Sequence, residues 1–396
     1  MSALQGWRRA PLWFTIGLVG VACRQPPVGP SQSRDSAGVR IVENDRASGP
    51  VLAFDSLPVV DIGPGSAGEF FSPISAVRLS DGRIVAAGWA TTELKVFDRH
   101  GRLLATVGRK GGGPGEFEAL GWVYRGPGDS LVTFEPGTQR LQRWSPAPRF
   151  SALGLLVSPG GRPTASLRSV LADGSLLVST RLAESSKSGA LTARGWITLF
   201  RARTASEPWD SLFSFLSGLT IRHPANPNWS IGQPLLAPIP SYHQSSGGIV
   251  YAAGDRFEVH LLDMTGRLRM IVRRKAEPRA VSSREFEQLV ESRKPNVQHL
   301  ARLLEVSTSR VRPAVAAVWL SQDGRTWAEF GEPGIGERRM ASVFDSTGRW
   351  ESDVPLPIGA QVLQIDRDGL LASMKDADGF YHLQFYPLRV KRAGYD

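Results

Sequence analysis

Between residues 74 and 107, apolar and polar positions fall into four short runs separated by turn-forming residues. Ile74 to Leu79 alternates, and Ser80-Asp81-Gly82-Arg83 has the composition of a tight turn. Ile84 to Gly88 is a second run, Leu94 to Asp98 a third, and Leu103 to Val107 a fourth, reached through His100-Gly101. Runs this short, near period two and bounded by Asp-Gly and His-Gly, predict four antiparallel strands joined by hairpins rather than helices.

The pattern repeats. Gly68-Glu69-Phe70 returns as Gly115-Glu116-Phe117, and Leu94 to Phe97 returns as Leu141 to Trp144, each 47 residues on. A period of roughly 40–50 residues marks stacked four-stranded units, the blades of a propeller. A second unit runs from Trp122 through Leu131 to Phe134 and Arg140 to Trp144. A third carries Val170 to Ala172, Leu176 to Thr180 and Ile197 to Arg201. In the fourth, Ile249 to Gly254 and Leu262 to Leu268 copy Ile84 to Gly88 and Phe97 to Leu103. A fifth has Val318 to Leu320 and Val343 to Asp345, and a sixth has Val362 to Ile365 and Tyr381 to Tyr386. The expected fold is all-β: a six-bladed β-propeller of four-stranded antiparallel blades over residues 47–392, as one domain. The composition agrees, with 42 glycines and 28 prolines distributed for many short strands and turns. Leu57 to Ile62 reads as a strand without a blade of its own, and the last blade lacks an outer strand. Pairing the two would close the ring.

Two segments depart from this pattern. Residues 282–304, between blades four and five, read as helical: Ser282 and Glu285 form a capping box, and Phe286, Leu289 and Val290 share a face. Pro295 interrupts the helix before a second stripe, Val297, Leu300, Ala301 and Leu304. The other segment, Leu219 to Tyr242, carries Arg222, His223, Asn226, Asn228, Trp229 and Tyr242 among prolines. Loops on a rigid scaffold carry binding more often than strands do. Arg222, His223, Trp229 and Tyr242 are therefore the candidate ligand-binding residues, of a type that suits sugar or peptide contact.

The N-terminus adds an address. Arg8 and Arg9 precede an apolar run, Leu12 to Ala22, too short to cross a membrane as a helix. A basic start, a short apolar core and small residues predict a signal peptide over residues 1–22. Cys23, the one cysteine of the chain, follows at once. This arrangement resembles a bacterial lipoprotein signal and implies acylation of Cys23. Residues 23–46 are rich in Pro, Ser and charge and are expected to be a flexible, lipid-anchored tether. The net charge of +10 does not point to nucleic acid, because only seven of the 47 basic residues are lysine and the arginines lie scattered among acids.

Local motifs for chemistry are weak. Gly63 to Gly68 matches G-x-G-x-x-G, but a strand follows where a dinucleotide site needs a helix. Arg109 to Gly115 is glycine-rich without the Lys-Ser/Thr of a phosphate loop. The six histidines show no paired metal-binding spacing. Asp366 to Gly369 and Asp376 to Gly379 begin like calcium loops and lack the later ligands. No G-x-S-x-G occurs. No catalytic residue, metal ligand or cofactor is assigned; calcium in the central channel, held by ligands from several blades, remains open.

The unit Gly68-Glu69-Phe70-Phe71-Ser72-Pro73-Ile74, then Val77, Asp81 to Val85, Leu94 to Asp98 and Gly101, resembles the NHL repeat of six-bladed propellers. The chain as a whole, from about Leu57 to Val390, is similar to bacterial envelope propeller proteins, which are often lipoproteins. One difference is Ala90-Thr91-Thr92-Glu93, where such repeats commonly place Asp, Asn and Arg. The resemblance implies a monomeric, extracytoplasmic binding module, lipid-anchored at the outer membrane or periplasmic face. Its partner would be an envelope protein, peptide or glycan, with membrane contact through the anchor only. A metal-dependent hydrolase or lyase of the lactonase type, with its site in the channel, is the alternative.

Overall fold

The computed structural model describes residues 29–65, 74–89, 91–157, 165–183, 191–204, 208–223, 230–245, 247–293, 300–331 and 338–391. They form a six-bladed β-propeller. Blade one comprises Ile74–Arg78, Ile84–Gly88, Leu94–Phe97 and Leu103–Val107, close to the strands that the alternation predicts. Blade two adds Trp122–Arg125, Leu131–Glu135, Arg140–Trp144 and Phe150–Leu155. Blade three is Ala165–Val170, Leu176–Ala183, Gly195–Ala202 and Asp210–Leu216. Blade four is Ser241–Ser245, Gly248–Ala252, Glu258–Leu262 and Leu268–Arg274. Blade five is Val315–Leu320, Thr326–Phe330, Met340–Phe344 and Trp350–Pro355. Blade six starts with Gln361–Asp366, Gly369–Lys375 and Tyr381–Lys391.

Six apolar clusters hold these sheets together, one between each consecutive pair of blades and one between blade six and blade one. Each blade is therefore covered on both faces. That is why the second strands Ile84–Gly88, Leu131–Glu135 and Gly248–Ala252 are buried at every position, the first and last as continuous apolar runs. A fully buried Val, Leu, Ile or Phe contributes about 1.5–3 kcal/mol, so the inter-blade clusters are the main source of stability. The innermost strand of blade three lies earlier than expected. A bulge between Leu167 and Ser169 breaks its alternation, and bulges at Val315/Ala317 and Val362/Gln364 do the same in blades five and six.

The ring closes through the N-terminal segment. Val60–Ile62 pairs with Leu383 to Phe385, within the expected Leu57 to Ile62. Val51–Phe54 also joins, pairing with Leu388 to Lys391. The outer strand of blade six thus comes in two pieces, both on the 11-residue strand Tyr381–Lys391. Val60 and Ile62 enter the cluster between blades six and one, and Leu52 the cluster between five and six. Gly101, at φ +84°, turns blade one against this strand; a Cβ there would lie 2.9 Å from Val60 Cγ1.

Residues 29–46 correct the expectation of a flexible tether. Ser31–Ser36 and Val39–Asn44 form a hairpin, turned by Ala37 and Gly38 at positive φ. Val39–Asn44 then adds in parallel to Leu268–Arg274, giving blade four six strands. The reason is local: Ile41 and Val42 bury their side chains, and Asn44, 2% exposed, bridges blades four and five. Its Nδ2 donates to the carbonyls of Arg273 (3.1 Å) and Gly348 (3.0 Å), and its Oδ1 accepts from Trp350 N (2.9 Å). The chain continues along blade five, where Ser48 N and Gly49 N donate to Trp350 O and Glu351 O. Residues 39–62 are a strap across the outer rims of blades four, five and six. Cys23 lies outside the described residues. No helix among the described residues is long and apolar enough to cross a membrane.

Candidate binding face

In an antiparallel blade, the turn after the second strand lies at the same end as the start of the first, as the pairing Ile74↔Gly88 shows in blade one. Both departures from the blade pattern emerge at that end of the ring, after the fourth strands of blades three and four.

There they form one body. The helices Ser283–Arg293 and Leu300–Val306 fall within or beside the expected 282–304. The capping box is present: Glu285 N donates to Ser282 Oγ (3.2 Å), and Ser282 N donates to Glu285 Oε2 (3.0 Å). Phe286 and Leu289 pack with Val281 against Leu235 and Leu236 of the other insertion. Leu235 N donates to Ser307 Oγ at 2.8 Å. Thr220–Arg222 pairs on one side with Ser230–Gly232 and on the other with Thr192–Ala193, from the long second turn of blade three, in a small three-stranded sheet. The result is a cap over blades three to five. Beneath it lies a cavity of about 510 Å³, with Arg181, Thr220 and Gln233 as polar lining and Leu235, Ile239 and Val315 as apolar lining.

Blades one and two leave an aromatic shelf at the same end. Trp89 follows the second strand of blade one, and Trp122 opens the first strand of blade two. Their rings meet edge to face at 4.7 Å, yet they are 45% and 38% exposed. Tryptophan packed on one side and bare on the other is a stacking surface for a sugar face or a peptide side chain.

The channel wall is stapled by hydrogen bonds between neighbouring blades. Each innermost strand has a backbone edge with no further strand to pair it, and neighbouring side chains satisfy part of that edge. Ser75 Oγ accepts from Val123 N (3.0 Å), Tyr124 donates to Leu167 O (2.7 Å), and Gln244 donates to Arg168 O (3.2 Å). Ser241 Oγ accepts from Val318 N (3.0 Å), and Gln364 Oε1 accepts from Arg78 N (2.9 Å). His243 Nδ1 accepts from Leu320 N (3.2 Å), and burial lowers its pKa to about 4, so the ring is neutral. The mouth opposite the cap is a cavity of about 310 Å³ whose lining includes Arg125, His243, Gln322 and Asp366 beside Val170, Leu320 and Ile365. Its charges are engaged: Arg125 binds Asp129 (2.6 Å), and Asp366 accepts a hydrogen bond from Gln364 Nε2.

The residues expected from the sequence do not form one cluster. Arg222 ends a strand of the cap and His223 follows it, both partly buried. Tyr242 belongs to the innermost strand of blade four, where its ring meets Phe215 at 5.3 Å and Arg168 at 5.8 Å. Its hydroxyl is buried without a hydrogen-bond partner. Trp229, Asn226, Asn228 and Pro295 lie outside the described residues, as do Gly68 and Phe70. In the second copy of the motif, Phe117 is fully buried and stacks on Trp144 at 5.6 Å, between blades one and two. The glycine-rich loop before it spends its amides internally: Gly113 N donates to Glu116 Oε2 (2.9 Å) and Gly115 N to Gln142 Oε1 (2.8 Å). A carboxylate of the chain itself occupies the place a phosphate would take. Asp366 to Gly369 and Asp376 to Gly379 are hairpin turns. Among the described residues, no three His, Cys, Asp or Glu side chains converge to hold a metal ion.

One polar arrangement was not anticipated. In blade two Glu135 and Arg140 form a buried pair at 3.1 Å, flanking the turn between second and third strands. Glu135 Oε1 accepts from Glu118 N (2.7 Å), and Arg140 donates to Glu116 O (2.6 Å), fixing the incoming connection. Glu329 and Arg339 do the same in blade five, Arg339 reaching Ala360 O. The signal was available as Glu and Arg around Pro136-Gly137, at the position where blade one has Ala90 to Glu93.

A family model described as a 6-bladed beta-propeller, DUF5128, matches residues 69–121. No curated protein sequence matches the chain. Similar solved structures include a protein described as exported from Bacteroides fragilis, at 10% identity and TM-score 0.44, covering 89% of this chain and 100% of that one. A duf4221 family member from Bacteroides vulgatus shares 10% identity at TM-score 0.46, over 87% and 99% of the two chains. Regucalcin, a calcium-binding protein from Agrobacterium tumefaciens, shares 12% identity at TM-score 0.39, over 86% and 96%. Likenesses at these scores carry no functional argument, and the six-bladed ring rests on the geometry above.

Proposed function

We propose that the protein is a binding module of the bacterial cell envelope, exported by its N-terminal signal and held at the membrane by an acylated Cys23. The capped face is its working surface, and the ligand is a glycan or a peptide segment of an envelope partner. One observation carries the reading: the fused insertions and the exposed Trp89–Trp122 shelf occur at the same end of the ring. Elaborate loops and bare aromatics gathered at one end of an otherwise regular scaffold favour recognition there. A channel hydrolase or lyase would need several convergent carboxylates or imidazoles, and the described channel residues offer neutral His243 and paired charges instead.

The test is a glycan and peptide array probed with the full chain in a neutral detergent, beside Trp89→Ala and Gln233→Ala variants. Ligands held by the parent and weakened at least about tenfold by either variant support the reading. No ligand in either class, or ligands indifferent to both substitutions, would overturn it.

A further inference from the structure

The helical insertion leaves blade four at Lys275 and rejoins blade five at Ala314. Its two stems enclose a second cavity, of about 450 Å³, against the blades. Pro313 lines both this cavity and the one beneath the cap. Arg256, Arg274, Lys275, Arg279 and Arg312 border it, against two bordering carboxylates, Asp255 and Glu277. Counting Glu285, which meets Arg312 at 3.3 Å, and Asp353, which meets Arg274 at 3.3 Å, the site still keeps a positive excess.

Arg274 is the best-defined member. Its guanidinium lies 4.0 Å from the Trp350 ring centroid, 4.3 Å from Phe330 and 5.2 Å from Phe257. Nη1 donates to Ser342 Oγ at 2.6 Å, while Nε is buried with no hydrogen-bond partner. Its counter-ion Asp353 is shared, its Oδ1 also accepting from Ser342 Oγ (2.8 Å) and Trp350 Nε1 (3.1 Å). Phe257 and Phe330 line the cavity as well, so cationic and aromatic surfaces face the same space. A donor-rich wall of four guanidiniums matches the planar, bidentate shape of a carboxylate, and the rings match an apolar body behind it.

We propose that this cavity binds an organic carboxylate carrying an apolar or aromatic body. It is a site distinct from the capped cavity and the tryptophan shelf, and it stands or falls independently of them. The probe is 4-phenylbutyrate, titrated calorimetrically into the full chain in a neutral detergent, with 4-phenylbutyramide as its uncharged control. The carboxylate is expected to bind saturably and the amide at least about tenfold more weakly. The double variant Lys275→Gln/Arg256→Gln, both at exposed positions, should lose about tenfold in affinity with its melting temperature unchanged. Phe330→Leu should weaken the same titration without altering its salt dependence. No saturable binding of 4-phenylbutyrate, equal binding of the amide, or an affinity unmoved by the double variant would overturn the proposal.

Discussion

Replacing His243 with Gln removes a neutral imidazole from the channel wall and with it a specific pH dependence of stability. The folded ring takes up its proton only near pH 4, whereas an unperturbed histidine does so near 6.5. Between those values the unfolded chain binds more protons than the folded one. The stabilisation is therefore complete above pH 6.5 and is lost as pH falls towards 4. The full separation corresponds to about 3 kcal/mol, and to about 2 kcal/mol at pH 5. Because the ring also borders the channel cavity, screening by solvent should trim the effect at pH 5 to about 1–2 kcal/mol. His382 works in the opposite direction: burial pushes its pKa down, but Asp61 and Asp376 outweigh that and hold it above the ordinary value. Its contribution is shared by parent and variant and cancels in the comparison. Urea unfolding at pH 7 and pH 5 measures the difference. The parent should lose about 1–2 kcal/mol more than His243→Gln over that interval. Equal losses, or a His243 imidazole proton resonance (identified by its loss in the variant) titrating near 6.5 in the folded parent, would refute the neutral buried ring.

Other consequences can be checked as simply. Asn44→Ala leaves Trp350 N and two carbonyls without their partner and should cost about 2–4 kcal/mol in urea unfolding; a cost below about 0.5 kcal/mol would mean the strap is not pinned there. Ile62→Ala should cost about 2–5 kcal/mol, because Ile62 is fully buried where the ring closes; calorimetric melting of the full chain decides. Cys23→Ser should move the protein from the membrane fraction to the soluble envelope fraction and abolish incorporation of labelled palmitate, whereas unchanged fractionation would count against the anchor.

Blade one was legible because its strands obey the alternation and its turns carry Asp-Gly and His-Gly; Ile84–Gly88 and Leu103–Val107 appear at the positions expected. The inner strands of blades three and five were harder, since a bulge in each shifts the period and hides its first residues; that of blade six, expected at Val362 to Ile365, appears at Gln361–Asp366 despite its bulge. Residues 31–44 misled for a different reason. Their composition is that of a linker, and the features that order them, Ile41, Val42 and Asn44, act only against blades four and five. The capping box of Ser282 and Glu285 was readable because it is local. The docking of Leu235 and Leu236 on Phe286 was not, because nothing in either segment states where the other will lie. The tryptophan shelf likewise needs the ring: Trp89 and Trp122 are 33 residues apart in sequence and touch only once blades one and two stand side by side.

The proposed function makes this ring a recognition scaffold rather than a channel metalloenzyme. Elemental analysis of the full chain, purified without chelator or added metal, tests it most directly. The prediction is no stoichiometric metal, with a melting temperature unmoved by calcium or by chelation. One equivalent of a tightly held metal whose removal lowers the melting temperature would contradict the claim.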